Sequence, residues 1–340
     1  MNVIVWNCRG VLKPNFQRHV RELARAHNPS IFVVMETRVG GGRAREIIDR
    51  LPFDGAILAE TIGFAGGIWL LWNSDRVVVE QLASTEQEIH VEVKVLPSNF
   101  SWIFFTVYAS PRTVERQVLW DNLSRVAGLH SKPWIIAGDF NEPLAEVDKF
   151  GGRPVSINRS LLFKDCLDKC NMVDMGFSGP RYTWTNRREI SSLIQERIGR
   201  FFMNPSWCLL YPDAKVTHLT RCHSDHCPVL LETNPSRQMH LTGPFKFQSF
   251  WLSDPSFPNV VKQAWQHPRK LNEAIEVFSR QASLWNKNHF GNIFQKKKRV
   301  LARLDGVQRA LASQPSVSLV TLENQLIREL DVVLEQERDL

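Results

Sequence analysis

The chain has 340 residues, of which 43% are hydrophobic and 23% charged, with 18 glycines and 18 prolines. These are the values of a folded globular chain with room for one large domain and an appendage, and they exclude a disordered, collagen-like or low-complexity sequence. A formal charge of +7 favours an acidic partner, because basic proteins gather polyanions by counterion release.

No run reaches the roughly 18 consecutive apolar residues of a membrane span, and Met1 leads directly into Val3-Ile4-Val5-Trp6 without a basic leader. A soluble intracellular chain is expected. Six cysteines are too few for a disulfide framework and read as reduced thiols.

Along the chain, short apolar runs rich in Val, Ile, Phe and Trp predict strands at Val3–Trp6, Ile31–Met35, Ile68–Trp72, Val77–Leu82, Ile89–Val95, Ile103–Val107, Trp134–Ala137, Phe201–Met203 and Cys227–Leu231. Helical spacing predicts Phe16–His27, Glu115–Gly128 and Arg159–Cys170. So many strands with interspersed helices imply an α/β (α+β) body built on two sheets.

Thr233-Asn234-Pro235-Ser236 punctuates the chain, and a Pro/Phe/Trp-rich stretch follows, which places a domain boundary near 235. Beyond it the apolar period is helical, through Val300, Leu304, Val307 and Leu311, then Leu322, Leu326 and Leu330. Two or three helices are expected over the appendage at 236–340, with a hairpin as one arrangement. Residues 262–309 carry eleven lysines and arginines against three acids, a surplus that accounts for the whole net charge. The run Lys296, Lys297, Lys298 and Arg299 is either a solvated helix face or a nucleic-acid contact.

Chemistry-bearing residues stand beside the apolar runs. Asn7 follows the first strand, Glu36 the second, and Asp139 with Asn141 follows Ile135-Ile136-Ala137-Gly138, while Ser224-Asp225-His226 precedes the last strand. Any one of these alone reads as a turn former or a solvated charge. Together they suit phosphodiester hydrolysis. A hard cation such as Mg²⁺ needs only one or two carboxylates beside a phosphate, which Glu36 with Asp225 would supply. Asp139 with Asn141 suits activation of water, and His226 suits charge stabilisation on the phosphoryl oxygens. Cys222, His223, His226 and Cys227 offer zinc-type ligands but lack the spacers of ordinary structural zinc sites. Cys166 and Cys170 read as core thiols.

Trp6-Asn7-Cys8-Arg9-Gly10, Glu36-Thr37, Gly138-Asp139-Phe140-Asn141 and Ser224-Asp225-His226 occur in the order and at the spacing of the endonuclease/exonuclease/phosphatase family, which includes DNase I and the exonuclease III-type apurinic endonucleases. The chain resembles that family over residues 1 to about 235. Within it, Asn-Cys-Arg-Gly at 7–10, Gly66-Gly67-Ile68 before Trp72, Tyr182-Thr183-Trp184-Thr185-Asn186 and Asn204-Pro205-Ser206-Trp207 resemble the endonuclease of plant LINE-type (non-LTR) retrotransposon polyproteins. The tail is similar to the linker that joins that endonuclease to reverse transcriptase.

The resemblance implies a four-layer sandwich of two mixed β-sheets flanked by helices, followed by the helical C-terminal appendage. It implies Mg²⁺- or Mn²⁺-dependent nicking of DNA to leave a 3′-hydroxyl, by a monomer acting in the nucleus, with a reverse transcriptase as partner in cis or in trans. It places Asn7 and Glu36 at the metal, with Asp225 as a metal or phosphate-site carboxylate. Tyr108 becomes a phosphate-contacting tyrosine, Asp139 the residue that activates water, Asn141 its orienting partner, and His226 the stabiliser of the pentacoordinate phosphate. Arg9 joins the Lys296–Arg299 run as a candidate nucleic-acid contact.

One position departs from the pattern. The segment matching Glu196-Arg197-Ile198-Gly199-Arg200 carries, in the family, an aspartate at the place of Gly199 that hydrogen-bonds the catalytic histidine. Its loss would loosen the aim of His226 and lower its charged fraction. A degenerate domain that keeps the fold and binds nucleic acid without cleaving is therefore the second reading, and a phosphoesterase of small or lipid substrates the third.

Overall fold

The computed structural model describes residues 1–62, 65–96, 98–235, 247, 251–252, 254–266, 270–289 and 291–338. The predicted boundary near 235 borders residues 236–246, which lie outside the described residues, as do Arg269 of the basic stretch and Pro244, Phe245 and Phe250 of the aromatic one. The chain divides into two compact units, Met1–Ser236 with Gln308–Val317, and Arg237–Val307 with Ser318–Leu340.

The first unit begins β1 (Asn2–Asn7), α1 (Phe16–His27), β2 (Ile31–Met35), α2 (Gly41–Ile48), β3 (Gly55–Ile62), β4 (Ala65–Trp72), β5 (Val77–Ser84), β6 (Glu88–Val95), β7 (Ser101–Tyr108), α3 (Thr113–Ala127) and β8 (Trp134–Asp139). It continues β9 (Lys149–Phe150), α4 (Ile157–Lys169), β10 (Val173–Asp174), β11 (Trp184–Thr185), β12 (Gln195–Glu196), β13 (Gly199–Met203), α5 (Pro205–Leu210), β14 (Lys215–His218) and β15 (Val229–Glu232). Two six-stranded sheets result, ordered β14-β15-β1-β2-β4-β3 and β10-β13-β8-β7-β6-β5, with a small third sheet of β11, β12 and β9.

Each large sheet is antiparallel except at one central pair, β1 with β2 and β7 with β8. Strands covered on both faces read as continuous apolar runs, and that is how these four read. Val3, Val5, Ile31 and Val33 join Trp102, Phe104, Ile135 and Ala137 in the core between the sheets. Ile4, Trp6, Phe32 and Val34 turn outward and pack with Phe16, Val20 and Leu23 of α1 and Ile47 of α2. On the other outer face Phe105, Val107, Trp134 and Ile136 pack with Leu119 and Trp120 of α3 and Phe163 and Leu167 of α4. The layers run helix, sheet, sheet, helix, as predicted.

Local chemistry explains several boundaries. Asn28 ends α1 with φ 46°, its N–H bonded to Ala24 O, a left-handed termination that asparagine tolerates. Asn204 caps α5 by accepting the Trp207 N–H, with Pro205 in the first turn, and the same Oδ1 accepts the Trp134 N–H that opens β8. Sequence patterning does not reveal α2, whose start Gly40-Gly41-Gly42 is poor in helix propensity, or the edge strands β3 and β14. Edge strands have one neighbour and a weaker apolar signal.

The second unit holds α6 (Phe257–Ala264), α7 (Leu271–His289) and most of α8 (Gly291–Ser313) and α9 (Val317–Arg338), so the described helices exceed the two or three expected. Trp251, Phe257, Val260 and Ala282 form a small core in which Trp285 Nε1 donates to Ser256 Oγ at 3.0 Å. Ion pairs from Lys297 to Glu337 and from Arg303 to Glu329 run in opposite chain directions, as an antiparallel hairpin requires. No described helix is long and apolar enough to cross a membrane.

Candidate active site

The two parallel pairs end at the same rim of the sandwich, and side-chain parity decides what they present there. Asn7 continues the inward set of Val3 and Val5, and Asp139 continues that of Ile135 and Ala137, so both side chains enter the space between the sheets at its edge. Tyr108, the last residue of β7, is paired in register with Asp139. Glu36 would point outward by parity, but it leaves β2 with φ 49°, which breaks the alternation. Arg9, Arg38 and Asn141 share this left-handed backbone with φ 55°, 59° and 48°. Non-glycine residues there cost of order 1–3 kcal/mol each and cluster at functional sites.

Asn7 is the hub. Its Nδ2 donates to Glu36 Oε1 at 3.0 Å and to Asp139 Oδ2 at 2.8 Å, while its Oδ1 accepts the Arg9 N–H. An amide bridges two carboxylates here where a third carboxylate would repel both. Asp139 Oδ1 accepts the Asn141 N–H at 3.1 Å, and Asn141 Nδ2 is anchored on Ala109 O at 2.7 Å. His226 Nδ1 lies 3.4 Å from Asp139 Oδ2. Ser224, a buried residue, accepts the His226 N–H and donates to Asn7 O at 2.9 Å, joining the turn before β15 to the end of β1. Asp225 accepts from Trp184 Nε1 at 3.1 Å and faces Arg9 Nε at 3.4 Å.

Electrostatics separate the acids. Burial pushes the Asp139 carboxyl above its ordinary range, against the pull of His226, the Asn7 amide and the Asn141 N–H. Burial also works on Glu36, but the bonds from Asn7 and Arg38 and the charge of Arg9 outweigh it and hold this carboxyl low. At Asp225 burial is likewise overcome, here by His226, Arg9 and the Trp184 bond. Burial, with Glu36 and Asp139 nearby, raises the Tyr108 phenol and keeps it a neutral donor. One carboxyl with raised proton affinity beside two held ionised is an arrangement that divides base work from cation binding.

The sequence therefore named residues that the fold brings together: Asn7, Glu36, Tyr108, Asp139, Asn141, Asp225 and His226, with Arg9. Lys296, Lys298 and Arg299 belong to the second unit and are exposed on α8, where Lys297 is bonded to Glu337 at 2.7 Å. Residue types and spacing assign no role to Arg38, Ser224, Trp184 or Arg187, all of which the fold brings to the site. Arg38 Nη2 meets Glu36 Oε2 at 2.7 Å, and Arg187 donates to the Ser224 and Cys222 carbonyls. Their signal was adjacency to the motifs, which does not announce contact. The zinc-type group disperses: Cys227 joins the core between the sheets, and His223 packs edge-on against His19.

At position 199 the backbone is not left-handed, and an added Cβ would meet Thr183 and Val229 at an ordinary 3.5 Å. Thr183 Oγ1 accepts both the Ile198 and Gly199 N–H groups. Glu196, the other acid of this segment, is bonded to Lys149 at 2.6 Å.

The sequence profile of the Endonuclease/Exonuclease/phosphatase family matches residues 4–213. The chain belongs to that family. Solved structures agree on the fold. An AP endonuclease from Leishmania major is 16% identical with a TM-score of 0.54, over 68% of this chain and 86% of its own. The endonuclease domain of TRAS1, a telomere-specific non-LTR retrotransposon, is 16% identical with a TM-score of 0.52, over 68% and 96%. An AP endonuclease from Archaeoglobus fulgidus is 13% identical with a TM-score of 0.53, over 68% and 98%. Among curated proteins no match was found.

Proposed function

We propose that this chain is a Mg²⁺-dependent endonuclease of retrotransposon type that nicks DNA and leaves a 3′-hydroxyl. The observation that carries the proposal is the Asn7 amide joining Glu36 and Asp139 across the ends of two sheets, with His226 facing the same Asp139 carboxylate. The domain assignment is part of it, a nuclease body over about 1–235 and a basic tail over 236–340, as are the plant LINE kinship, a nuclear site of action, and a reverse transcriptase partner.

The donor set suits a hard cation. Glu36 and Asp225 offer carboxylate oxygens held ionised, which is enough for Mg²⁺ because that ion keeps several of its waters, and Asn7, whose Oδ1 accepts the Arg9 N–H, would hold Glu36 through its Nδ2. Bound there, it would neutralise charge on a phosphoryl oxygen. The chain's own residues do the rest. Asp139, with raised proton affinity, accepts a proton from the attacking water, and the Asn141 N–H holds its other oxygen so that the carboxylate does not rotate. His226 and the neutral Tyr108 phenol donate toward the phosphoryl oxygens. The endonucleases among the family's members and the positive charge of the chain support DNA as the substrate.

The second reading, a domain that binds nucleic acid without cleaving, is supported by Gly199, which leaves Asp139, the proposed base, as the carboxylate paired with the His226 ring at 3.4 Å. Incubation of supercoiled plasmid with the full chain and Mg²⁺, beside Asp139→Ala and a chelated control, decides between them. Nicked circles that a polymerase extends from a 3′-hydroxyl, lost in the variant and with chelator, are the expected result. Plasmid binding without nicking selects the second reading.

A further inference from the structure

Arg9 stands between the two carboxylates assigned to cation binding. Its Nη1 is 3.3 Å from Glu36 Oε1 and its Nε is 3.4 Å from Asp225 Oδ2. The other Glu36 oxygen is taken by Arg38 Nη2 at 2.7 Å. Glu36 is thus bracketed by two guanidinium groups, and the two contacts differ in kind. The Arg38 distance is that of a charge-assisted hydrogen bond, whereas both Arg9 distances exceed the ~2.9 Å limit of that class.

Geometry makes Arg9 resident and exchangeable at once. The Arg9 N–H is bonded to Asn7 Oδ1 and the next N–H, that of Gly10, to Glu36 O at 2.8 Å, so the loop after β1 is fastened to the end of β2. That fastening holds Arg9 at φ 55° and aims its side chain along the gap between Glu36 and Asp225. The side chain itself is 41% exposed, while that of Glu36 is 7% exposed, so the guanidinium reaches water without disturbing the core.

We propose that Arg9 is a built-in counterion that bridges Glu36 and Asp225, and that a divalent cation binds these carboxylates by displacing it. The inference rests on the reading of Glu36 as a cation ligand and adds a regulator of that site's affinity. A cation coordinated by Glu36 and facing Asp225 requires the region that the Arg9 guanidinium crosses, and two like charges do not share it. Displacement costs the two Arg9 contacts each time a cation enters. Arg9 therefore offsets part of the charge of the two acids, and it sets cation affinity below what the same carboxylates would have alone. Arg38, tightly bonded to the far oxygen of Glu36, stays in place and orients the carboxylate.

Isothermal titration of the full chain with MgCl₂ at fixed ionic strength tests this. The set comprises wild type, Arg9→Gln, Glu36→Gln and Arg45→Gln, an exposed arginine of α2 that matches the loss of charge. Arg9→Gln is expected to tighten Mg²⁺ binding by at least about ten-fold, equal to ~1.4 kcal/mol, with Arg45→Gln near wild type and Glu36→Gln weaker. Should Arg9→Gln fail to fold, Arg9→Lys carries the test. It keeps the charge but lacks a fork to bridge two acids, and a tightening of several-fold is expected. Wild-type binding that depends on Glu36 but is unchanged or weakened without Arg9 overturns the counterion role and leaves the cation site standing. Equal tightening by Arg45→Gln overturns it as a net-charge effect. Absence of Mg²⁺ binding in wild type and in Arg9→Gln alike overturns both this inference and the metal reading.

Discussion

His226 meets Asp139 across the ends of the two sheets, Nδ1 to Oδ2 at 3.4 Å, with the histidine entering from the turn before β15 and the aspartate from the end of β8. The carboxylate proposed as the base thereby also faces the imidazole proposed as the charge stabiliser. Each role weakens the other, because an Asp139 that has taken up a proton no longer presents a negative oxygen to the imidazole.

A separate carboxylate for the histidine would relieve that conflict. Position 199 is in register with Asp139, and an added Cβ there makes only ordinary contacts, at 3.5 Å. Gly199→Asp is expected to raise plasmid nicking by at least about ten-fold, equal to ~1.4 kcal/mol of barrier, over a weak wild-type rate. Brisk wild-type nicking that the substitution leaves unchanged would mean that Asp139 alone suffices for His226.

Replacement of Asp139 by Asn keeps size and one acceptor but removes the proton acceptor. Nicking is expected to fall by about 10²–10⁴-fold, the usual worth of general-base catalysis, while the melting temperature stays within a few degrees of wild type. A variant that retains most activity would remove Asp139 from the base role.

Gly138 precedes this residue on β8 and is paired with Val107 of β7. A Cβ there would lie 1.8 Å from the Val107 carbonyl oxygen, and backbone cannot yield as a side chain would. Gly138→Ala is expected to cost 1–3 kcal/mol or more, about the range for overpacking, and to displace Asp139. Chemical denaturation reads the first effect and nicking the second. A neutral outcome in both would show that the strands separate more easily than their ladder suggests.

Buried His218 supplies a pH dependence of stability. Burial lowers its pKa to about 4, although the Pro180 carbonyl at 2.7 Å from Nδ1 pulls the other way. Between the ordinary value near 6.5 and that folded value the unfolded chain holds the extra proton. Stability is therefore present above pH ~6.5 and is lost as pH falls toward about 4, by on the order of 3 kcal/mol from this group. His223, lowered by burial to about 3, extends the same limb downward. Denaturant midpoints measured across this range check the slope, which His218→Asn is expected to flatten.

The basic surplus of 262–309 is expected to appear in salt dependence. Replacing exposed Lys296, Lys298 and Arg299 by Gln in the full chain should weaken DNA binding and reduce the slope of log affinity against log salt, by up to about 0.9 for each phosphate that is no longer neutralised. An unchanged slope removes this helix face from the interface.

The chain order of apolar runs determined the strands that matter, because β1, β2, β7 and β8 are covered on both faces and their burial writes unbroken Val, Ile, Phe and Trp segments. Asn7, Asp139 and Asp225 were legible for the same reason: polar residues at the ends of such runs stand out. What the sequence did not contain was adjacency. Asn7 and Asp139 are 132 positions apart, and their hydrogen bond exists only because two separate parallel pairs end at one rim. Arg38 on Glu36, Trp184 on Asp225 and the bridge made by Arg9 depend on left-handed turns and side-chain reach, which residue spacing does not encode. The tertiary structure also decided the state of the acids. Three carboxylates of similar intrinsic strength diverge because burial dominates at Asp139, whereas it is outweighed at Glu36 by the Asn7 and Arg38 bonds with the charge of Arg9, and at Asp225 by the charges of His226 and Arg9.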